Sequence, residues 1–196
     1  QLVLTGAIDD VGAPIRATSG KSYRLGLEID SEIKINKHFS IRPNASFSTN
    51  KNREFRASIN GVLQNLGNTP LSFSPNAIIG NTFVYEPLEN FMISFLSKYV
   101  GRQYMSNLNS IVSNQDQLES FFTSDLNFEY IIETKKNFEI IINGLINNLF
   151  NKKYVDRGYY YTYDYPDDSG KIITGDGSGF YPQATTNFLA GLTLKF

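Results

Sequence analysis

The chain has no cysteine, no tryptophan and a single histidine, His38, in 196 residues. Without thiols there is no disulfide framework, no thiolate metal site and no cysteine nucleophile. One histidine in a turn supports neither a histidine-rich metal cluster nor a Ser-His-Asp constellation. Charge of one sign is also lacking: 18 Lys+Arg face 19 Asp+Glu, a net charge of -1. No basic field therefore exists to draw nucleic acid to a surface, so nucleic acid is not an expected partner. No apolar run approaches the roughly 18 residues of a spanning helix, and the N-terminus carries no signal-peptide pattern. Any contact with a membrane is not made by helices. What the chain does have is 12 Tyr and 15 Phe amid abundant Asn, Ser and Thr. Aromatics favour strands, while Asn and Ser favour turns or wet polar faces.

The dominant pattern has period two, which sends alternate side chains to opposite faces of a sheet. From Tyr23 to Ile35 one row reads Tyr23, Leu25, Leu27, Ile29, Ser31, Ile33, Ile35 and the other Arg24, Gly26, Glu28, Asp30, Glu32, Lys34. The alternation resumes over Phe39 to Ser48, Leu71 to Glu86, Phe91 to Arg102, Leu118 to Glu133, Phe138 to Asn147 and Asn187 to Phe196. In the Leu118 to Glu133 segment, Leu118, Phe122, Leu126, Phe128, Tyr130 and Ile132 oppose Glu119, Thr123, Asp125, Asn127, Glu129 and Glu133. Seven strands are predicted, with a further fragment at Gln1 to Thr5.

Alternation alone does not say which face is wet, because a soluble sandwich or lipocalin-like barrel shows it too. Length and connections decide. The predicted strands run about 12 to 16 residues, against roughly 5 or 6 in globular proteins and roughly 9 to 11 for a tilted membrane-spanning strand. Short turns at Asn36 to His38, Pro87 to Asn90 and Thr134 to Asn137 alternate with long segments at Ala7 to Gly20, Lys51 to Pro70, Tyr104 to Gln117 and Asp156 to Pro182. Outer-membrane barrels have this asymmetry, with short periplasmic turns and long extracellular loops. In hydrocarbon the backbone must pair internally, so such a sheet closes. The expected fold is therefore all-β: a transmembrane antiparallel up-and-down barrel with apolar rows toward lipid and polar rows toward a wet lumen.

Each strand reverses direction, so an outward strand should precede Tyr23. Only Gln1 to Thr5 is available for it, which is too short to span. Residues 1–196 are accordingly expected to be the C-terminal part of a larger barrel, with a complete eight-stranded barrel as the alternative.

Three stretches, "QLVLTGAIDDVGAPIRATSGKSYRLGLEI", "NLFNKKY" and "FYPQATTNFLAGLTLKF", together resemble the C-terminal region of TonB-dependent outer-membrane receptors of the Bacteroidetes type. The resemblance covers nearly the whole chain. It implies a barrel of about 22 strands around an N-terminal plug, with this chain as roughly the last third of the wall and the plug outside it. It further implies location in the outer membrane and active import of a large scarce nutrient, first an iron-siderophore complex. A SusC-like glycan importer and a non-transporting barrel subunit of a larger complex are the rivals, and a soluble lipocalin-like binder is the remaining one. The implied partners are the lipid bilayer, TonB through upstream regions, the rest of the same receptor and the barrel-assembly machinery. A glycan importer would add a surface lipoprotein. The alternating end of the chain, Phe188, Ala190, Leu192, Leu194 and Phe196 with Gly191, matches the assembly signal of such proteins. Leu189 departs from it, standing where the family pattern has a polar residue.

For ligand contact the candidates are Tyr159, Tyr160, Tyr161, Tyr163 and Tyr165 as an aromatic wall, since tyrosine offers large area at low entropy cost plus a hydroxyl. For any single one of them, membership of the interfacial aromatic girdle or simple loop packing is the favoured reading. Arg102, Lys98 and Arg24 are expected to face the lumen, where they either attract an anionic ligand or balance Glu119, Glu129 and Glu28 on neighbouring strands. Asp164, Asp167, Asp168 and Asp176 offer carboxylates that suit calcium but lack the spacing of a calcium loop, and read as a solvated acidic loop in preference to a calcium site. The run "GDGSG" has no following Lys-Ser/Thr and is not a phosphate loop. No catalytic residue, metal ligand or cofactor is assigned.

Overall fold

The computed structural model describes residues 2–8, 10–11, 14–18, 20–134 and 138–196. Its centre is an antiparallel sheet of seven long strands: β1 (Lys21–Asp30), β2 (Phe39–Arg53), β3 (Ala77–Leu88), β4 (Phe91–Val100), β5 (Phe121–Glu133), β6 (Glu139–Asn147) and β7 (Asn187–Lys195). Spatial order follows chain order, so the sheet is an up-and-down meander. Short connections join β1 to β2 and β3 to β4 at one end, and long segments join β2 to β3, β4 to β5 and β6 to β7 at the other. The turn expected at Thr134 to Asn137 lies, beyond Thr134, outside the described residues.

Register keeps the two rows separate across the sheet. Phe95 lies opposite Phe83 on β3 and Leu126 on β5, and Leu126 lies opposite Ile146 on β6. On the other face Ser94 lies between Val84 and Asn127. A slip of one residue would exchange these faces. Leu189, the departure from the family pattern, lies opposite Leu145 on the polar face.

The apolar rows are not packed into a core. Leu25, Leu27 and Leu192 are 70%, 61% and 66% exposed. Of the seven apolar residues buried among those described, five (Ile59, Leu71, Met105, Leu118 and Tyr160) lie in the long connections rather than in the wall. A soluble sandwich would show the reverse, with its rows of Leu, Ile and Phe interdigitated between two sheets.

Several boundaries differ from the sequence expectation. The predicted strand Tyr23 to Ile35 is interrupted: β1 ends at Asp30, and Ile33–Lys34 continues the same register against β2. Between them Ser31 donates its N–H to the Pro43 carbonyl at 3.1 Å. Pro43 has no N–H to return, so one rung of the ladder is missing. Arg42 and Glu32 bridge the gap with a 3.1 Å ion pair. At Leu71 to Asn76 the expected strand does not form. β3 starts at Ala77, Leu71 is 1% exposed among the loops, and Phe73 has a positive φ of 50°. Leu118 likewise leaves the wall, pairing in a short ladder of Gln103–Tyr104 with Gln117–Leu118.

The long segments are themselves structured. Within the first, Leu2–Ile8 pairs with Pro14–Thr18 as a two-stranded ladder of its own; Gln1 lies outside the described residues. Arg56–Ile59 pairs with Val62–Asn65, and Val155–Pro166 pairs with Ile172–Pro182 over its whole length. Together the last two, with the short ladder at Gln103–Tyr104, build a cap over the long-loop end.

Candidate functional site

The hairpin Val155–Pro166/Ile172–Pro182 turns the run "GYYYTYDYP" into two faces. Tyr159, Tyr161, Tyr163 and Tyr165 share one face as a ladder of rings with successive centroids 6.4, 6.2 and 5.6 Å apart, and Tyr181 joins at 6.2 Å from Tyr159. Their exposures lie between 41% and 56%. Half of each ring is thus available to a ligand while its neighbours hold it.

The opposing strand supplies the reason these rings lie where they do. Register sets Tyr159 against Gly179, Tyr161 against Gly177 and Tyr163 against Gly175. A Cβ on these glycines would come within 2.4, 2.6 and 2.9 Å of the Tyr159, Tyr161 and Tyr163 rings. Glycine weakens a strand by backbone entropy and by leaving no side chain to pack. A cross-strand aromatic that covers it restores the buried contact. "TGDGSGF" is therefore the track on which the tyrosines lie, and its period of two matches theirs. That matched spacing was the signal in the sequence.

Tyr160 belongs to the other face and not to the aromatic wall. It is 8% exposed and packs with Met105 and Leu118, against which Leu108 and Val155 also lie. Its hydroxyl lies beside the Asp176 and Ser113 side chains, without a hydrogen bond of full geometry among the described residues. Burial first, and then the neighbouring Asp176 carboxylate, hold its phenol well above the usual value. Desolvation disfavours the phenolate, and a nearby anion does the same.

The same inner face ties the hairpin to the rest of the cap. Ser113 donates to Asp176, Ser178 donates to Gln115 at 3.1 Å, and Thr174 exchanges two bonds with Asn60, at 2.7 and 2.9 Å. Asp164 accepts from Thr174 at 2.5 Å and from Ser58 at 3.4 Å. Beneath the cap, Asp116 is fully buried and accepts from Ser106 Oγ, the Ser110 N–H and Ser110 Oγ. Asn107 Oδ1 accepts from Asn52 Nδ2 and from the Ser72 N–H.

Bonds engage Asp164, Asp167 and Asp176 of the acidic run. Asp167 caps the hairpin tip, where Oδ1 accepts from Ser169 N–H and Oγ and from the Lys171 N–H, and these bonds, the Ser169 hydroxyl first, lower its pKa. Asp164 and Asp176 are engaged by hydroxyls. Among the described residues no three His, Cys, Asp or Glu side chains gather as a metal site would require. Arg102 does not join the ladder; its ion pair is with Glu119 at 3.4 Å. Of the residues expected to contact ligand, the structure thus brings together Tyr159, Tyr161, Tyr163 and Tyr165, adds Tyr181, and separates Tyr160 and Arg102 from them.

At the end of the chain, Phe188, Leu192 and Leu194 occupy the exposed apolar row of β7, opposite Ile146, Ile142 and Ile140. Gly191 lies beneath Asn143, whose Oδ1 would be 2.3 Å from an added Cβ. Lys195 pairs with Glu139 at 3.1 Å and the Phe196 ring meets Phe138 at 5.4 Å.

No protein-family model matches the chain, and no curated protein sequence does. Solved structures do match. The ferric-catecholate import receptor Fiu from E. coli K12 superimposes with a TM-score of 0.58 at 16% identity, over 95% of this chain and 22% of the receptor. The ferric yersiniabactin uptake receptor FyuA from Yersinia pestis gives 0.56 at 16%, over 92% and 24%. The siderophore receptor PiuA from Acinetobacter baumannii gives 0.60 at 17%, over 99% and 24%. The chain has the fold of a stretch of these receptors and spans less than a quarter of their length.

Proposed function

We infer that this chain is the C-terminal part of the barrel of a TonB-dependent outer-membrane receptor, and that the whole receptor imports an iron-siderophore complex. The observation that carries this reading is the sheet itself. Seven reversing strands leave a continuous apolar row exposed on one face, carry a polar row on the other and bear a folded cap at the long-loop end. Lipid is the medium that makes such an exposed row favourable. The match of this arrangement to three ferric or siderophore receptors over more than nine-tenths of the chain supports the choice of cargo.

The free edges point the same way. β1 pairs only with β2, and β7 only with β6, among the described strands. Edges of 10 and 9 residues are open to unwanted pairing unless other strands cover them. Further strands of the same barrel would do so. In this reading the tyrosine ladder is the ligand-contacting surface of the cap. Its rings and hydroxyls suit a bulky ligand that presents both ring and oxygen groups.

Deletion of the gene for the whole protein tests the proposal. Uptake of radioactive iron from ferric siderophores should fall in the deletion strain, and loss of TonB should give the same defect. A deletion strain that takes up every ferric siderophore normally but loses growth on a glycan would overturn the cargo and favour glycan import.

A further inference from the structure

The motif "NLFNKKY" forms a turn that the import reading leaves unused. Beyond the Leu126–Ile146 pair, the chain after β6 leaves the wall and crosses toward the rim of β5, where the Leu149 N–H donates to the Ser124 carbonyl at 2.7 Å. Asn148, 5% exposed, fixes this turn. Its amide group donates to the carbonyls of Lys152 and Ala184, its Oδ1 accepts from the Lys152 N–H at 2.8 Å, and its own N–H donates to Asp125. Both Asn148 and Asn151 have positive φ, 49° and 53°, a conformation that asparagine tolerates better than most residues. The result is a rigid platform. It holds Phe150 68% exposed, with its ring edge-on to Phe95 at 6.4 Å.

Beside that platform opens a groove of about 640 Å³ that includes Tyr99, Phe122, Phe150, Ser124, Lys152 and Lys153 in its walls. Three features define what it accepts. Tyr99 and Phe122 belong to the exposed apolar row at the long-loop end of the wall, opposite one another in register. The Ser124 hydroxyl is buried and unpartnered among the described residues. Lys152 and Lys153 form no ion pair among the described residues, and no acidic side chain lines the groove. Asp125, the acid joined to the turn, is engaged by the Asn148 N–H.

We propose that this groove binds a phosphate-bearing lipid of the outer leaflet, with its phosphate on Lys152 and Lys153 and an acyl chain along Phe122 and Phe150. The proposal rests on the reading of the apolar row as lipid-facing. In a barrel of that orientation the ring of aromatics at the long-loop end marks the membrane–water interface. Two lysines in the same groove stand at headgroup depth, where a basic cluster attracts anionic lipid. The unpartnered hydroxyl of Ser124 supplies a donor for an ester or phosphate oxygen. A free phosphate ion would use the lysines and leave the aromatic wall without a role.

The test uses the whole receptor in nanodiscs of phosphatidylethanolamine with or without bisphosphorylated lipid A, with bound lipid counted by native mass spectrometry. Wild type should retain lipid A, and the K152Q/K153Q variant should lose retention on the order of 10- to 30-fold, as expected for two juxtamembrane basic charges. F150A should weaken retention while both lysines remain. Heat-modifiability of each variant verifies that the barrel is intact. Equal retention by wild type and K152Q/K153Q overturns the proposal, as does equal retention of dephosphorylated lipid A. Displacement of the lipid by millimolar inorganic phosphate overturns it in favour of a free-anion site. The import reading fails separately: a receptor that retains lipid A yet takes up no ferric siderophore loses its cargo assignment and keeps this site.

Discussion

The Tyr161 ring covers Gly177 so closely that a Cβ at that glycine would lie 2.6 Å from the ring's Cζ and Oη. The pair sits in the middle of a track in which Tyr159 covers Gly179 and Tyr163 covers Gly175. Gly177→Val should push the Tyr161 ring out and break its stacking with Tyr159 and Tyr163, at about 0.5 to 1.5 kcal/mol for each aromatic pair. Limited proteolysis should show faster cleavage within 155–182, while the heat-modifiability of the wall stays unchanged.

Leu126 and Asn127 are neighbours in β5 with opposite exposures to lipid in the proposed barrel. Leu126→Arg should impair assembly, because an arginine facing lipid near the midplane costs about 2 to 4 kcal/mol. Asn127→Arg should be much milder, since that row faces water. The yield of heat-modifiable protein in the membrane fraction measures both, and equal yields would contradict the orientation.

Asn148 combines a positive φ with side-chain bonds to both backbone groups of Lys152. Asn148→Ala removes those bonds from the Lys152 and Ala184 backbone groups, a loss of about 0.5 to 1.5 kcal/mol for each bond that water does not replace. Asn148→Gly also removes the bonds but relieves the backbone conformation, so it should lie between alanine and wild type. Thermal melting of the three proteins in detergent gives the order.

Tyr160 provides the pH prediction. Its folded-state pKa is raised, chiefly by burial, so the neutral phenol is the form the cap accommodates. The stabilisation is fully present below the unfolded value of about 10 and declines as pH rises above it toward the folded pKa. Cleavage of the cap by an alkaline protease should therefore rise above about pH 10. Tyr160→Phe should suppress that rise, because phenylalanine has no proton to lose.

The wall was legible in the sequence because its physics is one-dimensional. Leu126 against Asn127, or Leu192 against Gly191, states which face each residue takes, and alternating loop lengths state the direction. Legibility failed where alternation continued past the sheet. Leu71 and Leu118 fit the apolar row by spacing, yet both are buried in the cap, because period two does not distinguish lipid from a small local core. Pro43 broke the ladder opposite Ser31 through a donor that is missing, a feature that an apolar-polar pattern does not record. The tyrosines were visible as a group, but their separation from Tyr160 required the hairpin, since an unbroken run "YYY" reads as one wall until strand geometry divides it.

The hairpin Val155–Pro166/Ile172–Pro182 shares its backbone ladder with no strand of the wall. Insertions or deletions of matched residue pairs near its tip would therefore leave the seven-strand register untouched. The hairpin is thus a cassette whose length and sequence can change while the sheet that carries it is held constant.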